Sequence, residues 1–385
     1  MRLVAITLLA ACAMVACAPT ARRPALEDAD TLTPIAGIPQ ARYWADATPP
    51  DIEDRIAKVV RQRRSAGLTG MTALAMSGGA DNGAFGAGVM NAWTERGDRP
   101  EFATVTGVST GALVAPFVFL GPKYDAEMKR LYGGIPTDEI IRLRSVFRVL
   151  PSGSVVDTTP MAEIISGYIT EGFLAEIAAQ HARGRRLFVQ TTNMDAQRPV
   201  LWDMGAIASS GAPQAEALFE DVLLASASVP VAFPPVFFEF RTADGERFSE
   251  MHADGGVASQ ITVAEGWQGR IHELSGSGNS ATRLVALYVL FNGRIDPEPQ
   301  SVDFTIPEVA SRALDTMTKE QRERDLANAY SAARKRDAAF RMAAIEPDFE
   351  LAYSGPFDVD YMTRLYNYGY EKTLRGEIWQ SAPPQ

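Results

Sequence analysis

The chain has 385 residues, with 37 Lys+Arg against 47 Asp+Glu and a formal net charge of −10, and 46% of its residues are apolar and 22% charged. These are globular values; they exclude collagen-like, coiled-coil and wholly disordered classes and allow two or three domains or one large α/β domain with a core that needs no disulfide staples. The acidic balance disfavours nucleic acid, which needs a basic footprint, and gives no pull toward anionic lipid, so membrane contact has to come from apolar surface or a covalent anchor.

Met1 and Arg2 precede a nearly unbroken apolar run from Leu3 to Ala18. One positive charge, a short apolar stretch and small residues make a secretory signal, too short to span a bilayer. Small residues before a cysteine resemble a bacterial lipoprotein signal. Leu9-Ala10-Ala11-Cys12 fits that box better, but Met14-Val15-Ala16-Cys17 leaves a signal of more usual length, so Cys17 is taken as the anchor with Cys12 as the alternative. A plain secretory signal with incidental cysteines is the remaining reading. A diacylated cysteine carries two chains, enough for stable anchoring. The next residue is Ala13 or Ala18 rather than Asp, which by resemblance to lipoprotein sorting rules favours the outer membrane. The expectation is a lipid-anchored protein of a bacterial cell envelope. Both cysteines lie in this segment, so the rest of the chain has no thiol chemistry and no Cys-based zinc site.

The expected organisation is a signal over residues 1–16, an Ala/Thr/Pro-rich tether over 17–50 and one folded domain over 51–385. Asp51 is placed to cap a helix carrying Ile52, Ile56, Val59 and Val60, with Arg61 to Arg64 at its end, where the dipole favours cations. Thr72 to Met76 reads as a buried parallel strand. It leads through a glycine-rich loop into a helix with Phe85, Val89, Ala92 and Trp93 that stops at Gly97. Phe102 to Thr106 reads as a second strand, followed by Gly107 to Gly111 and an apolar helix through Leu113, Val114, Phe117 and Leu120. Further strands are expected at Arg186 to Thr191, Val236 to Phe240 and Leu284 to Phe291, and a helix at Ala215 to Ala227. Ser275 to Thr282 reads as a polar loop, Val309 to Ala344 as one or two outer helices and Asp358 to Arg375 as a last docking helix. Strands alternating with helices give a three-layer α/β/α sandwich with a largely parallel sheet.

Gly107-Val108-Ser109-Thr110-Gly111 fits G-x-S-x-G, with an apolar strand before it and an apolar helix after it. In that setting the glycines permit a tight turn that lifts the serine hydroxyl clear of the sheet, and the helix N-terminus directs N–H groups at the same spot. A strand–turn–helix corner with a capping serine is the plainer reading. A Ser-His-Asp hydrolase needs the chain order Ser, acid, His. The chain has three histidines; His181 and His272 read as surface residues, and only His252 and His272 follow Ser109. Met251-His252-Ala253-Asp254-Gly255-Gly256 delivers an acid into a Gly-Gly turn at a strand's carboxyl end, where such folds place ligand groups. Asp254 can take the Ser109 proton directly, although the same residues also suit a hairpin turn. Gly78 to Gly86 opens a helix after a strand, so its N–H groups can cradle an oxyanion; it lacks the dinucleotide spacing and the P-loop Gly-Lys-Ser/Thr.

Together these segments resemble the patatin-like phospholipase family, which carries a G-G-G-x-R-G loop, a G-x-S-x-G serine and a D-G-G/A acid in that order. Here they are Gly78-Gly79-Ala80-Asp81-Asn82-Gly83, Gly107 to Gly111 and Asp254-Gly255-Gly256. Ala225-Ser226-Ala227-Ser228-Val229-Pro230 with Phe233-Pro234-Pro235 matches a fourth segment, and the resemblance covers about Thr72 to Val263. It implies hydrolysis of lipid acyl esters by a Ser109–Asp254 dyad without histidine, an oxyanion hole from Gly78, Gly79 and Ala80, loop support from Asn82 and Gly83, and neither metal nor cofactor. Two positions depart from the pattern: Ala80 replaces the third glycine and Asn82 the arginine, so the fixed positive charge beside the loop is missing. Pro116 to Leu120 reads as core rather than acyl pocket, and Val229 to Phe240 as either a cleft wall or a rigid connection. Two other readings stand beside this one: a Ser-His-Asp hydrolase using His252 or His272, and a catalytically silent lipoprotein that binds lipid or a partner.

Overall fold

The computed structural model describes residues 32–133, 135, 137–143, 156–241, 247–263, 270–271, 280–350 and 355–384. Cys12, Cys17, His272 and most of the 275–282 loop fall outside them. The strands are β1 Arg42–Trp44, β2 Met71–Met76, β3 Thr104–Val108, β4 Arg142–Leu143, β5 Val156–Asp157, β6 Arg186–Asn193, β7 Arg198–Asp203, β8 Val236–Arg241, β9 Arg247–Asp254, β10 Leu284–Leu290 and β11 Ala339–Ala343. The main sheet runs β1-β7-β6-β3-β2-β10-β11, with β9 on β6 and β8 on β9; β4 and β5 form a separate ribbon.

The centre of the sheet, β6-β3-β2-β10-β11, is parallel, while β1, β7, β8 and β9 join antiparallel. A central strand is apolar on both faces because helices cover both sides. In β2, Leu74 and Met76 pack into one core and Ala73 and Ala75 into the other. The first core gathers Phe85, Val89, Phe117, Ile177, Phe219 and Leu365 from helices Gly83–Glu95, Thr110–Leu120, Glu171–Ala182, Ala215–Ser226 and Val359–Arg375. The second gathers Ile52, Ile56, Val59, Leu326 and Ala329 from helices Ile52–Ser65 and Ile306–Lys335. This is the expected α/β/α sandwich.

Four local expectations change. The stretch read as outer helices to Ala344 is one helix, Ile306–Lys335, followed by β11, whose Phe340 and Met342 are buried; β11 pairs in register with β10. The period-2 signal was hidden behind a long charged helix. The stretch read as tether up to residue 50 contains β1, whose Arg42, Tyr43 and Trp44 are buried along β7. Asp51 does not cap its helix; its carboxylate takes the Arg55 Nε–H at 2.8 Å. Arg63 is buried and donates to the carbonyls of Ala281 at 2.6 Å and Gly70 at 2.5 Å, closing the turn into β2. Among the described residues, no helix is long and apolar enough to cross a membrane.

The C-terminal helix Val359–Arg375, capped by the Asp358 carboxylate, lies directly on helix Gly83–Glu95. A Cβ at Gly88 would stand 2.1 Å from the Tyr366 carbonyl oxygen, and one at Gly369 would stand 2.7 Å from that of Phe85. Gly88→Ala is therefore expected to push the two helices apart and to lower unfolding stability by about 1–3 kcal/mol in urea titrations.

Candidate active site

β3 ends at Val108, and the chain turns at Ser109 with φ 54° and ψ −126° before helix Thr110–Leu120 begins. A positive φ at a residue with a side chain is strained and is held only where the surroundings enforce it. Here they do. The Ser109 N–H donates to Ser226 Oγ at 3.0 Å, and Ser226 Oγ donates in turn to the Gln190 carbonyl at 2.7 Å. Both elbow glycines are required by packing: a Cβ on Gly107 would meet the Gly111 carbonyl oxygen at 2.5 Å, and one on Gly111 would meet the carbonyl oxygens of Met76 and Ser77 at 2.6 Å.

Strand β6 brings the acid to the serine. β3 runs along β6 until Val108 stands opposite Gln190. At the next position, Thr191, the partner is no longer β3 but Asp254, the last residue of antiparallel β9. The two strands thus meet end to end on one template, and the Ser109 hydroxyl donates to Asp254 Oδ2 at 2.5 Å across 145 positions of sequence. Oδ1 accepts the Gly256 N–H at 2.6 Å, while the Asp254 N–H donates to the Ser228 carbonyl. Asp254 therefore leads into a short 3-10 turn, Gly255–Val257, rather than a hairpin. Burial pushes its carboxyl up from 3.8 to about 6, against the smaller opposing pulls of the Ser109 hydroxyl and the Gly256 N–H.

The loop after β2 lies over this pair. A Cβ on Gly78 would come within 2.9 Å of the Ser109 Cβ, and one on Gly79, at φ +154°, would stand 2.0 Å from the Asn292 carbonyl oxygen. Asn292, just beyond β10, fixes the loop from below: its N–H donates to Ser77 Oγ and its Nδ2 to the Ser77 carbonyl. Ala80 has φ 49°, a conformation that favours glycine, and still carries its N–H. Asn82 Oδ1 accepts the Tyr361 hydroxyl at 2.8 Å, and Gly83 leaves room for Thr110 and Tyr132. Ser109, Gly78, Gly79 and Ala80, with Asn82 and Gly83 behind them, thus gather at one place. Such backbone amides beside a strained hydroxyl are an arrangement that can stabilise an oxyanion.

Ser109 and Ala80 open into an apolar cleft of about 900 Å³, its open mouth included. Helix Thr110–Leu120 contributes Leu113, Pro116 and Phe117 to the cleft, whereas Val118 and Phe119 are buried in the core, so Pro116 to Leu120 is divided between the two roles. Val229 and Phe233 line the cleft, and Val236 onward forms β8. Phe357 and Met362, from the C-terminal segment, also line it, as do Met161, Ile165 and Tyr168 of helix Thr159–Tyr168.

His181 and His252 lie elsewhere. His181, expected at the surface, is buried against Asp203, with Nδ1 3.5 Å from Oδ1, and burial pushes it down to about 4. His252 has both ring nitrogens occupied, by Thr191 Oγ1 at 2.8 Å and Glu250 at 3.1 Å. Glu250 also pairs with buried Arg42 at 2.6 Å, so His252 belongs to a structural network, not to Ser109. Among the described residues, no group of three or more His, Cys, Asp or Glu is placed to hold a metal ion. Sequence reasoning missed the supporting roles of Ser226, Gln190, Asn292 and Tyr361. Ser226 lay in a segment already singled out; the other three carried no local signal.

A family model for patatin-like phospholipase matches residues 74–267, half of the chain, and includes the loop, elbow and acid. The chain belongs to the patatin-like phospholipase family. Patatin-2-Kuras 4 of Solanum tuberosum is 31% identical over 71 residues, which is 18% of this chain and 18% of that protein. Among solved structures, VipD from Legionella pneumophila aligns with 96% of this chain and 73% of its own, at 13% identity and a TM-score of 0.38. Human GIVD cytosolic phospholipase A2 aligns with 80% of this chain and 55% of its own, at 8% identity and a TM-score of 0.30.

A buried carboxyl raised to about 6 binds its proton more tightly folded than unfolded. Its contribution to stability is therefore greatest below pH 3.8 and falls by about 3 kcal/mol as the pH rises through about 6. Asp254→Asn removes this titration. Urea titrations are expected to show the variant gaining about 3 kcal/mol relative to the parent between pH 3 and pH 8.

Proposed function

We propose that this protein is a serine acyl hydrolase that cleaves carboxylic esters of lipids, with Ser109 as nucleophile and Asp254 as its base. The observation that carries this reading is the 2.5 Å hydrogen bond from the Ser109 hydroxyl to Asp254 at the foot of an apolar cleft. Family membership supports a lipid hydrolase; the dyad and its roles are the finer statement proposed here.

In this mechanism Ser109 Oγ attacks the ester carbonyl carbon and its proton passes to the Asp254 carboxylate. The carbonyl oxygen becomes an oxyanion, stabilised by the N–H groups of Gly78, Gly79 and Ala80 and by the N-terminus of helix Thr110–Leu120. Asp254 returns the proton to the alcohol oxygen as the C–O bond breaks, leaving an acyl-serine. Water then attacks the acyl carbon and gives its proton to Asp254, and collapse of the second tetrahedral intermediate releases the acid and restores Ser109. An ordinary aspartate, near 3.9, is a weak base at neutral pH. Burial raises Asp254 to about 6, which makes it a better base while leaving it mostly ionised at pH 7. No metal or cofactor enters this route. Asn82, where the family carries arginine, contributes a hydrogen bond to Tyr361 instead of a charge.

The substrate class follows from the lining, which is apolar along helix Thr110–Leu120 and around Val229 and Phe233. An N-terminal lipid on Cys17, or on Cys12 in the alternative register, would hold the enzyme beside such substrates at the outer membrane of a bacterial envelope. If Cys17 carries the lipid, palmitate incorporation is lost in Cys17→Ser and kept in Cys12→Ser.

Ser109→Ala and Asp254→Asn are each expected to lower release of p-nitrophenol from acyl esters by at least about a thousandfold. A fluorophosphonate probe should label the parent at Ser109; an unlabelled, inactive parent would favour a silent lipid-binding lipoprotein. Because Asp254 must be ionised, kcat/KM is expected to rise with pH through an apparent pKa near 6, well above that of a free aspartate.

A further inference from the structure

The residues matched by the family model end at 267, yet the chain beyond them reaches back into the site. The Asp81 carboxylate, buried in the loop next to Ala80, accepts the backbone N–H of Phe357 at 3.1 Å. One residue further along the loop, Asn82 Oδ1 accepts the Tyr361 hydroxyl at 2.8 Å. The C-terminal segment is thus tied to two successive residues of the loop that carries Gly78, Gly79 and Ala80. Phe357 itself has φ 56°, a strained conformation for an aromatic residue, and it lines the same cleft as Ala80 and Ser109. The helix that follows cannot easily shift, because Gly88 and Gly369 bring its backbone against helix Gly83–Glu95 without a gap. Strain at Phe357 is therefore maintained by the anchor at its own N–H and by the helix that follows it.

We propose that Phe357 is a specificity-determining residue that limits the space beside the scissile carbonyl, and that the Tyr361–Asn82 hydrogen bond is the latch that keeps it there. This rests on the reading of Ser109 as an esterase nucleophile. Phe357 is anchored one residue from Ala80, so it borders the reacting end of the cleft rather than its far end. At that position a wall acts on substituents near the carbonyl and discriminates less by the length of an acyl chain. The substrates it favours are esters of unbranched acyl groups; a branch at the carbon next to the carbonyl would meet the ring. The position filled by arginine in the family is here given to the latch, since Asn82 is short enough to receive the Tyr361 hydroxyl.

The test compares p-nitrophenyl butyrate with p-nitrophenyl isobutyrate, which differ in branching next to the carbonyl, using full-length protein whose active sites are counted by fluorophosphonate labelling. The readout is the isobutyrate-to-butyrate ratio of kcat/KM, which does not depend on the fraction of protein that is folded. The parent should prefer butyrate. Phe357→Ala should raise the ratio on the order of tenfold, as removal of a close steric wall does, and Phe357→Leu should raise it less. Tyr361→Phe keeps the ring and loses the latch, and should raise the ratio in the same direction. A ratio in Phe357→Ala less than threefold above that of a labelled, active parent overturns the role of Phe357. An unchanged ratio in Tyr361→Phe overturns the latch. A parent that is neither labelled nor active removes the esterase reading itself and this proposal with it.

Discussion

The site depends on a change of partner along one strand. β6 pairs with β3 up to Gln190 and with β9 from Thr191, so a parallel strand leaving the sheet and an antiparallel strand entering it share one edge. The backbone ladder sets the spacing of the two ends to a single residue step, and side chains at the ends of abutting strands have to meet. Ser109 is the residue that follows the end of β3, and Asp254 is the end of β9. Gln190 marks the junction: its carbonyl receives Ser226, and its side-chain amide donates to the Gly255 carbonyl at 2.9 Å.

Burial at this junction has two consequences of opposite sign. It raises the Asp254 carboxyl toward neutrality, which costs folding free energy at neutral pH. In the proposed mechanism the same dehydration gives the carboxylate the added basicity to serve the Ser109 hydroxyl without an imidazole between them. The positive φ at Ser109 and at Ala80, both of which carry a Cβ, adds to that cost. The two-sided core, with Leu74 and Met76 packed on one face of β2 and Ala73 and Ala75 on the other, supplies the compensating stability.

The C-terminal region is the second structural theme. β11 extends the parallel sheet at the edge away from the site, while helix Val359–Arg375 packs on the helix that the glycine-rich loop initiates. Residues far from the G-x-S-x-G serine in sequence therefore border its cleft and hold its loop. Through Asp81 and Asn82, the loop is fixed on one side by this segment, and through Ser77 on the other by Asn292.

Much of this was legible in the order of residues, because the signals involved are local. An apolar run bounded by glycine marks a buried strand, and a G-x-S-x-G between strand and helix marks an elbow; both stand where the elements were expected. The parallel sheet followed from alternating strands and helices, and the Asp254-Gly255-Gly256 turn was recognisable as a strand end. What stayed hidden was set by distant partners. The exposure of His181 could not be read from its Ala-rich neighbours, because it is decided by Asp203 and Gly205, against which the ring packs. β11 was masked by the helix before it, and β1 by the composition of the stretch around it. Nor does any short-range pattern foretell that Ser226 would receive the Ser109 N–H, or that Phe357 and Tyr361 would bind successive residues of the loop. By itself the sequence determined which groups are candidates for chemistry and where most of the strands and helices lie, since these rest on neighbouring residues. Only the tertiary structure decided which of those groups touch, since contact across 145 positions depends on how β3, β6 and β9 share their hydrogen bonds.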